Sequence, residues 1–198
     1  MLKSFYQKNT IEAGIDEAGR GCYAGPVFAA AVILPKDYKN KRLNDSKKIT
    51  ASLRDELRVE IEKDALSFCV ASIDHTEIDQ INILQATYKA MHQAIAGLNK
   101  IPELLLIDGN RFKKHASIPH VCVVKGDATF LSIAAASILA KTYRDDYMKT
   151  IHNEFPLYGW NKNKGYGTAE HRKAIENHGL CQYHRKSFQI LPTPVSYT

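Results

Sequence analysis

Long hydrophobic runs are missing from this 198-residue chain: the longest, Val27 to Leu34, is eight residues, against the roughly 18 or more that a membrane-spanning helix requires. The opening residues, Met1 to Gln7, lack the apolar core of a signal peptide, so neither a spanning segment nor export by that route is expected. Cysteine is sparse and dispersed. Cys22, Cys69, Cys122 and Cys181 are spread along the whole chain, which leaves no pair at metal-ligand spacing and no dense disulfide framework. Reduced thiols in a cytosolic compartment are expected. Internal repeats, low-complexity tracts and a clear linker are also lacking, which excludes collagen, coiled-coil and repeat architectures. What remains is a globular composition, 44% hydrophobic and 24% charged. A chain of this length buries roughly 70% of its unfolded surface and builds a core without staples.

Acid is the minority charge. Net charge is +6, and from Gly159 onward Lys162, Lys164, Arg172, Lys173, Arg185 and Lys186 face only Glu170 and Glu176. That distribution places +4 of the total near the C-terminus and favours a polyanionic partner.

Strands are predicted over Ile11–Asp16 and over the β-branched and alanine-rich run Val27–Leu34, joined through Gly19, Gly21, Gly25 and Pro26. Leu53, Leu57, Ile61 and Ala65 recur at helical spacing, and Ser67–Ile73 alternates as a third strand. Ile78, Ile81, Leu84, Tyr88, Met91, Ile95 and Leu98 predict one long helix stopping near Gly97. The short apolar runs Leu104–Ile107 and His120–Val124 suit strands buried on both faces. Phe130–Ala140 reads as a helix buried against the sheet, and Thr168–His178 as a helix ended by Gly179. The sum is a mixed α/β sheet.

Two of these apolar strands end in carboxylates, Asp16-Glu17 and Asp108, and Asp127 opens the buried helix just past a third. In open α/β sheets ligands gather at the carboxyl ends of strands. Four carboxylates without histidine or cysteine at comparable positions select a hard cation, Mg²⁺ or Mn²⁺. Each acid also has a plainer reading. Asp127 can be an N-cap, and Asp108 before Gly109-Asn110 can open a turn. Adjacent Asp16 and Glu17 point to opposite faces of a regular strand, so sharing a site calls for a break there, which Gly19 and Gly21 permit. Jointly the acids favour the metal reading. The loop Asn44-Asp45-Ser46-Lys47-Lys48 and the segment Gly19-Arg20-Gly21 carry groups suited to phosphate. Tyr158, Trp160, Tyr166 and Tyr183 interleave with cations in a pattern suited to stacking on sugars and bases, with core packing the favoured role for Trp160.

The segment Gly14-Ile15-Asp16-Glu17-Ala18-Gly19-Arg20-Gly21, followed by Ala24-Gly25-Pro26, resembles the opening signature of ribonuclease HII, the type 2 ribonuclease H. The resemblance continues in family order through Asp45–Lys48, Ile107–Asn110, Lys125–Asp127, Ala135–Lys141, Arg144-Asp145, Lys164–Thr168 and His184–Phe188. It covers residues 11 to 188. Cys22-Tyr23 departs from the proline and leucine that many members carry, which bears on the shape of the turn after Gly21.

That resemblance implies a ribonuclease H-like mixed five-stranded sheet flanked by helices, with a helical C-terminal extension. The expected division is a catalytic core over 1–152 and a nucleic-acid-binding extension over 153–198. Asp16, Glu17, Asp108 and Asp127 become the catalytic and metal-holding carboxylates of a two-cation site. The nucleic-acid-binding set is Gly19, Arg20, Gly21, Asn44, Ser46, Lys47, Tyr166, His184 and Arg185, with the glycine turn on the ribonucleotide 2′-hydroxyl and Tyr166 on the sugar at the RNA-to-DNA junction. The implied activity is hydrolysis of the RNA strand of RNA/DNA hybrids and cleavage 5′ of ribonucleotides embedded in duplex DNA, leaving 3′-hydroxyl and 5′-phosphate ends. A monomer is expected, and a sliding clamp is an open partner. Ribonuclease HIII is the weaker kinship, since that group carries an added N-terminal domain and here only Met1 to Ile15 precede Asp16. A non-catalytic hybrid-binding module would lose an acid, and all four are present.

Overall fold

Small and β-branched residues at alternating positions make two strands that bury both faces. β1 (Glu12–Ala18) pairs antiparallel with β2 (Val27–Ile33), matching Ala18 to Phe28 and Gly14 to Val32. The computed structural model describes residues 2–43 and 49–190. After β2 come α1 (Ala51–Asp64), β3 (Ser67–Ile73), α2 (His75–Ala96), β4 (Leu104–Asp108) and β5 (His120–Val123). Three helices follow: α3 (Leu131–Glu154), the single turn α4 (Trp160–Asn163) and α5 (Ala169–His178). The sheet order is β3-β2-β1-β4-β5; β2 is antiparallel to both β3 and β1, and β1, β4 and β5 are mutually parallel. The mixed five-stranded sheet is therefore present as expected.

Period-two alternation divides the core cleanly. Ala13, Ile15, Val27, Ala29, Ala31, Leu105 and Ile107 face α2, while Ala30 and Val32 face α1 and α3 through Leu57, Ile61, Ala135 and Leu139. Gly14 lies on the α3 side, where a Cβ would stand 2.2 Å from the Ser132 backbone carbon. Glycine there sets how closely α3 crosses β1. Side-chain caps come from Thr50 on α1, Asp74 on α2 and Thr168 on α5, each accepting a hydrogen bond from a first-turn amide.

Two helices differ from the sequence expectation. α2 is kinked at Asn82, whose φ is +66°, and the Asn82 side chain caps the second half by accepting from the amides of Leu84 and Gln85. The kink rephases the apolar stripe: Ala86, Thr87, Ala90, Met91 and Ala94 are buried, whereas Leu84 and Tyr88 turn outward. α3 continues well beyond Ala140, to Glu154. There Thr142, Arg144, Asp145, Met148 and Ile151 are buried, and Met148 and Ile151 pack in a second core with Tyr158, Trp160 and Ile175. The polar composition of that stretch hid a helix whose burying surface is the C-terminal segment.

Candidate active site

β1 stays paired with β2 through Ala18, but its pairing with β4 ends at Ile15 opposite Ile107. The next register position sets Asp16 beside Asp108 at the mouth of a notch between the two strands. The expectation of an immediate strand break is thus corrected. Asp16 lies on the α3 face, where the Ser137 hydroxyl hydrogen-bonds its carboxylate, and the Glu17 amide donates to Asp16 Oδ1 at 2.7 Å. Glu17 lies on the α2 face and pairs with Arg20 at 3.2 Å. Both acids reach one cleft of about 210 Å³, lined also by Gly19, Arg20, Gly21, Asp108, Ser137, Lys141 and Tyr166.

Asp16 is 5% exposed, and burial first, then the charges of Glu17 and Asp108, push its carboxyl well above the usual range. Burial raises Glu17 as well, with Asp108 adding to the shift and Arg20 opposing it. Such mutual repulsion is relieved by a cation held between the acids. Asp108 Oδ1 accepts the Gly126 amide at 2.6 Å, which ties the end of β4 to the 3-10 turn Gly126–Ala128 that holds Asp127. Asp127 is 4% exposed and lies outside the lining of the small cleft. It is not the N-cap of α3, because Phe130 occupies that position without a side-chain bond. Among the described residues no three His, Cys, Asp or Glu side chains form a ready-made metal cage. The donor chemistry at the notch is nevertheless oxygen-only and mutually repelling, which fits a hard divalent cation.

The turn from Gly19 to Pro26 is held by two buried arginines. Arg144, 1% exposed, donates to the carbonyls of Pro26 (3.1 Å), Ala24 (3.1 Å) and Lys164 (2.8 Å). Arg185, fully buried, donates to Gly25 (2.9 Å), Arg20 (2.8 Å) and Gly19 (2.7 Å). Gly19 has φ +95°, and a Cβ on it would lie 2.0 Å from Arg144 Nε. Gly21 has open space where a Cβ would go. A ligand can therefore approach the backbone there closely.

Tyr166 is 41% exposed and forms one wall of the cleft. Its backbone pairs with Cys22, and its hydroxyl and the buried Cys22 thiol are hydrogen-bonded. The departure at Cys22-Tyr23 thus lies directly beneath the wall residue, with the Tyr23 ring filling the space above Gly167. Behind Tyr166 the Trp160 indole N–H donates to His171 Nε2 (3.0 Å), and the Cys181 amide donates to His184 Nδ1 (3.0 Å). Those bonds fix the tautomers: His171 Nδ1–H donates to the Tyr166 carbonyl (2.9 Å), and His184 Nε2–H donates to His171 Nε2 (3.2 Å). Both imidazoles are neutral in this network. Burial, then His171, pushes His184 down to about 4.

Two expected contacts are corrected. His184 and Arg185 have no exposed surface, so neither side chain is placed to touch a duplex; each acts from behind on the residues that line the cleft. Trp160 is fully buried and Tyr158 is 5% exposed, so both are core residues; Tyr183 is half-buried with its hydroxyl donating to Glu154 (2.7 Å), and Tyr166 is the exposed member of the four. Asn44, Ser46 and Lys47 lie outside the described residues. Sequence reasoning gave no role to Ser137 and Lys141, one helical turn apart on α3 and both lining the cleft. Their signal was polarity at i and i+4 in an otherwise apolar run.

An acid-tipped notch at the carboxyl ends of β1 and β4 of a mixed five-stranded sheet is the arrangement that the ribonuclease H resemblance implies. Residues 13–191 match the family model for ribonuclease HII. The chain is 60% identical over 191 residues to the ribonuclease HII of Bacteroides thetaiotaomicron, spanning 96% of each chain. It is also 60% identical over 192 residues to that of Cytophaga hutchinsonii, spanning 96% of this chain and 95% of the other. The chain belongs to the ribonuclease HII family and is a ribonuclease H nuclease. Among solved structures the fold matches ribonuclease H2 of Pyrococcus horikoshii with a TM-score of 0.73 at 21% identity, over 90% of this chain and 94% of that one. It matches ribonuclease HII of Archaeoglobus fulgidus, solved with PCNA, with a TM-score of 0.71 at 23% identity, over 93% and 98% of the two chains. Bst-RNase HIII, solved with Mn²⁺, gives 0.67 at 18% identity, over 86% of this chain and 63% of that one.

Proposed function

We propose that this nuclease is a divalent-metal-dependent endonuclease that hydrolyses the RNA strand of RNA/DNA hybrids and cuts 5′ of ribonucleotides embedded in duplex DNA, leaving 3′-hydroxyl and 5′-phosphate ends. The observation that carries this reading is the notch where Asp16, Glu17 and Asp108 share one cleft with the open backbone of Gly21. Asp16, Glu17, Asp108 and Asp127 would hold Mg²⁺ or Mn²⁺, which when bound supplies an activated water and neutralises charge on the departing 3′-oxygen. The Mn²⁺ complex of the Bst-RNase HIII neighbour supports that choice of cation.

This chain's own residues do the positioning. Ser137 fixes the Asp16 carboxylate, and Asp108 is oriented by the Gly126 amide. Lys141, ion-paired with Asp145, sets a positive charge beside the cleft. With their carbonyls held inward by Arg185, Gly19 and Arg20 present the turn to the sugar 2′-hydroxyl, the group that separates RNA from DNA. Tyr166 packs against the following sugar. A nearby 2′-hydroxyl partner left unpaired on all-DNA substrate costs about 1 to 3 kcal/mol, so discrimination follows from this wall and turn. A sliding-clamp partner rests on the Archaeoglobus complex with PCNA.

The test is cleavage of a duplex with one embedded ribonucleotide, with Mn²⁺ or Mg²⁺ and with chelator, by wild type and Asp108→Asn. Cleavage 5′ of the ribonucleotide, lost with chelator and reduced roughly 100-fold or more in the variant, is the expected result. Chelator-resistant cleavage, or wild-type turnover by Asp108→Asn, overturns the reading.

A further inference from the structure

The segment between Asp108 and Asp127 carries Arg111, Lys113, Lys114 and Lys125 and no Asp or Glu. Its first part, residues 109–119, lies against the second half of α2, and the two enclose a groove. Nearest the acids is a cleft of about 450 Å³ whose lining includes Glu17, Asp108, Arg111, Leu84 and Tyr88. Beyond it, across Tyr88, lies a second cleft of about 620 Å³ lined by Lys89, His92, Lys113 and His115 and, among the described residues, by no acid. Leu84 and Tyr88 face this groove because the Asn82 kink rotates them away from the core. An aromatic and a leucine thereby open onto a groove that begins at the hydrolytic notch, with Arg111 and Lys113 of the loop on its wall.

The loop is fastened in place. His92 Nε2 donates to the Lys113 carbonyl at 2.7 Å, and the Phe112 ring meets Tyr88, His92 and His120 edge-on at 6.2, 5.3 and 5.1 Å. Lys113 and Lys114 are exposed on this anchored support. Lys89 is ion-paired with Glu77, so the uncompensated charge comes from the loop.

Resting on the reading of the acid notch as the hydrolytic site, we propose that this α2–loop groove is a track for the phosphate backbone of the substrate duplex on the flank beyond the cleaved bond. From Leu84 to His92 the helix advances roughly 12 Å at 1.5 Å per residue. One strand presents a phosphate about every 3.4 Å along the duplex axis, so the track spans about three of them, against Arg111 and Lys113 on the groove wall and the exposed Lys114 beside them. Continuity with the notch and charge complementarity name the occupant. A duplex too short to leave the notch does not reach it.

The experiment compares binding of a duplex of about 30 base pairs with one central ribonucleotide and a shorter duplex that stops about one base pair past the ribonucleotide on the flank beyond the cleaved bond, by fluorescence anisotropy without divalent cation. Salt is varied from about 50 to about 200 mM. The variant Arg111→Gln/Lys113→Gln/Lys114→Gln is set against Lys8→Gln/Lys63→Gln/Lys100→Gln, which removes equal charge at exposed positions near the opposite end of the sheet. At about 0.9 per phosphate contact, the loop variant lowers the log-log salt slope on the long duplex by about 2 to 3. Its affinity then falls about 40-fold less than that of wild type across this salt range. It also loses most of the preference for the longer duplex. The double variant Lys113→Gln/Lys114→Gln shows about two-thirds of the effect. Equal slopes in wild type and loop variants, or the same change in the control, overturn the track. Wild-type cleavage of the long duplex with Mn²⁺ is read separately, and its failure would sink the hydrolytic reading instead.

Discussion

Arg185 offers the sharpest single test of how the cleft is built. Its guanidinium is fully buried and makes three hydrogen bonds of 2.7 to 2.9 Å to carbonyls of the Gly19–Gly25 turn. Burial, reinforced by the charge of Arg144, lowers it to about 10, so the group stays charged at neutral pH. In Arg185→Lys the ammonium retains the charge and one carbonyl at best, because a point donor cannot span three acceptors arranged for a planar fork. Two charge-assisted bonds at about 1.5 to 3 kcal/mol each are lost, a destabilisation of about 3 to 6 kcal/mol. Against a total domain stability on the order of 10 kcal/mol, that is a large part.

Urea unfolding followed by circular dichroism measures this directly. With a slope of about 2 kcal/mol/M, the midpoint falls by about 1.5 to 3 M. Arg144→Lys, where the guanidinium likewise bonds three carbonyls, behaves in parallel. A phosphate-contacting arginine would show the opposite pattern: little change in stability, and a salt slope of binding lower by about 0.9. A midpoint shift equivalent to less than about 1 kcal/mol, with a flattened slope, would refute the assignment of Arg185 to the turn and return it to the nucleic-acid surface.

Protonating His184 at Nδ1 places a donor opposite the Cys181 amide while its Nε2–H stays on His171, and its folded-state value lies near 4 against 6.5 unfolded. Stability from this group is full above about 6.5 and is lost as pH falls toward 4, up to about 3 kcal/mol; thermal melts of wild type against His184→Asn should show wild type alone losing it, and parallel pH curves would count against the neutral pair. Asp16 has the reverse sign. Its carboxyl is raised, so its contribution is present at acid pH and disappears as pH rises through the folded-state value. Divalent-free Asp16→Asn should therefore be at least as stable as wild type at pH 7, and a clear loss of melting temperature there would contradict the repulsion.

Much of the sheet was legible from short apolar runs bounded by turn residues. Val27–Leu34 and Ser67–Ile73 match their strands within a residue, the first because a continuous alanine-rich and β-branched run suits a strand buried on both faces, the second because its sequence alternates. The second half of α2 was not legible. Leu84 and Tyr88 continue a three-and-four spacing from Ile78 and Ile81, yet the left-handed Asn82 between them starts a new helical phase. The far half of α3 was missed for a different reason. Its buried residues include Thr142, Arg144 and Asp145, and what makes polar residues worth burying there lies far away in sequence, as the bonds of Arg144 to Ala24 and Pro26 show.

The acids were readable because a carboxylate ending an apolar strand is conspicuous before any fold is known. The cations were not, and the reason lies in the arginine side chain. A count of charge near the C-terminus adds Arg185 to Lys186, but only Lys186 is exposed; Arg185 satisfies its donors on backbone carbonyls and contributes rigidity rather than field at the surface. An exposed surplus of the other kind lies between Asp108 and Asp127, where the loop proposed to meet the duplex carries exposed Arg111, Lys113 and Lys114 and no acid. A lysine's strongly hydrated point charge favours a solvated position, whereas an arginine at a turn rich in exposed carbonyls has a polar reason to be buried. Charge runs of lysine between two functional acids therefore weigh more toward a nucleic-acid surface than an isolated arginine in a motif. The fully buried Arg185, beside a loop that presents Lys113 and Lys114 to solvent, is this chain's instance of that difference.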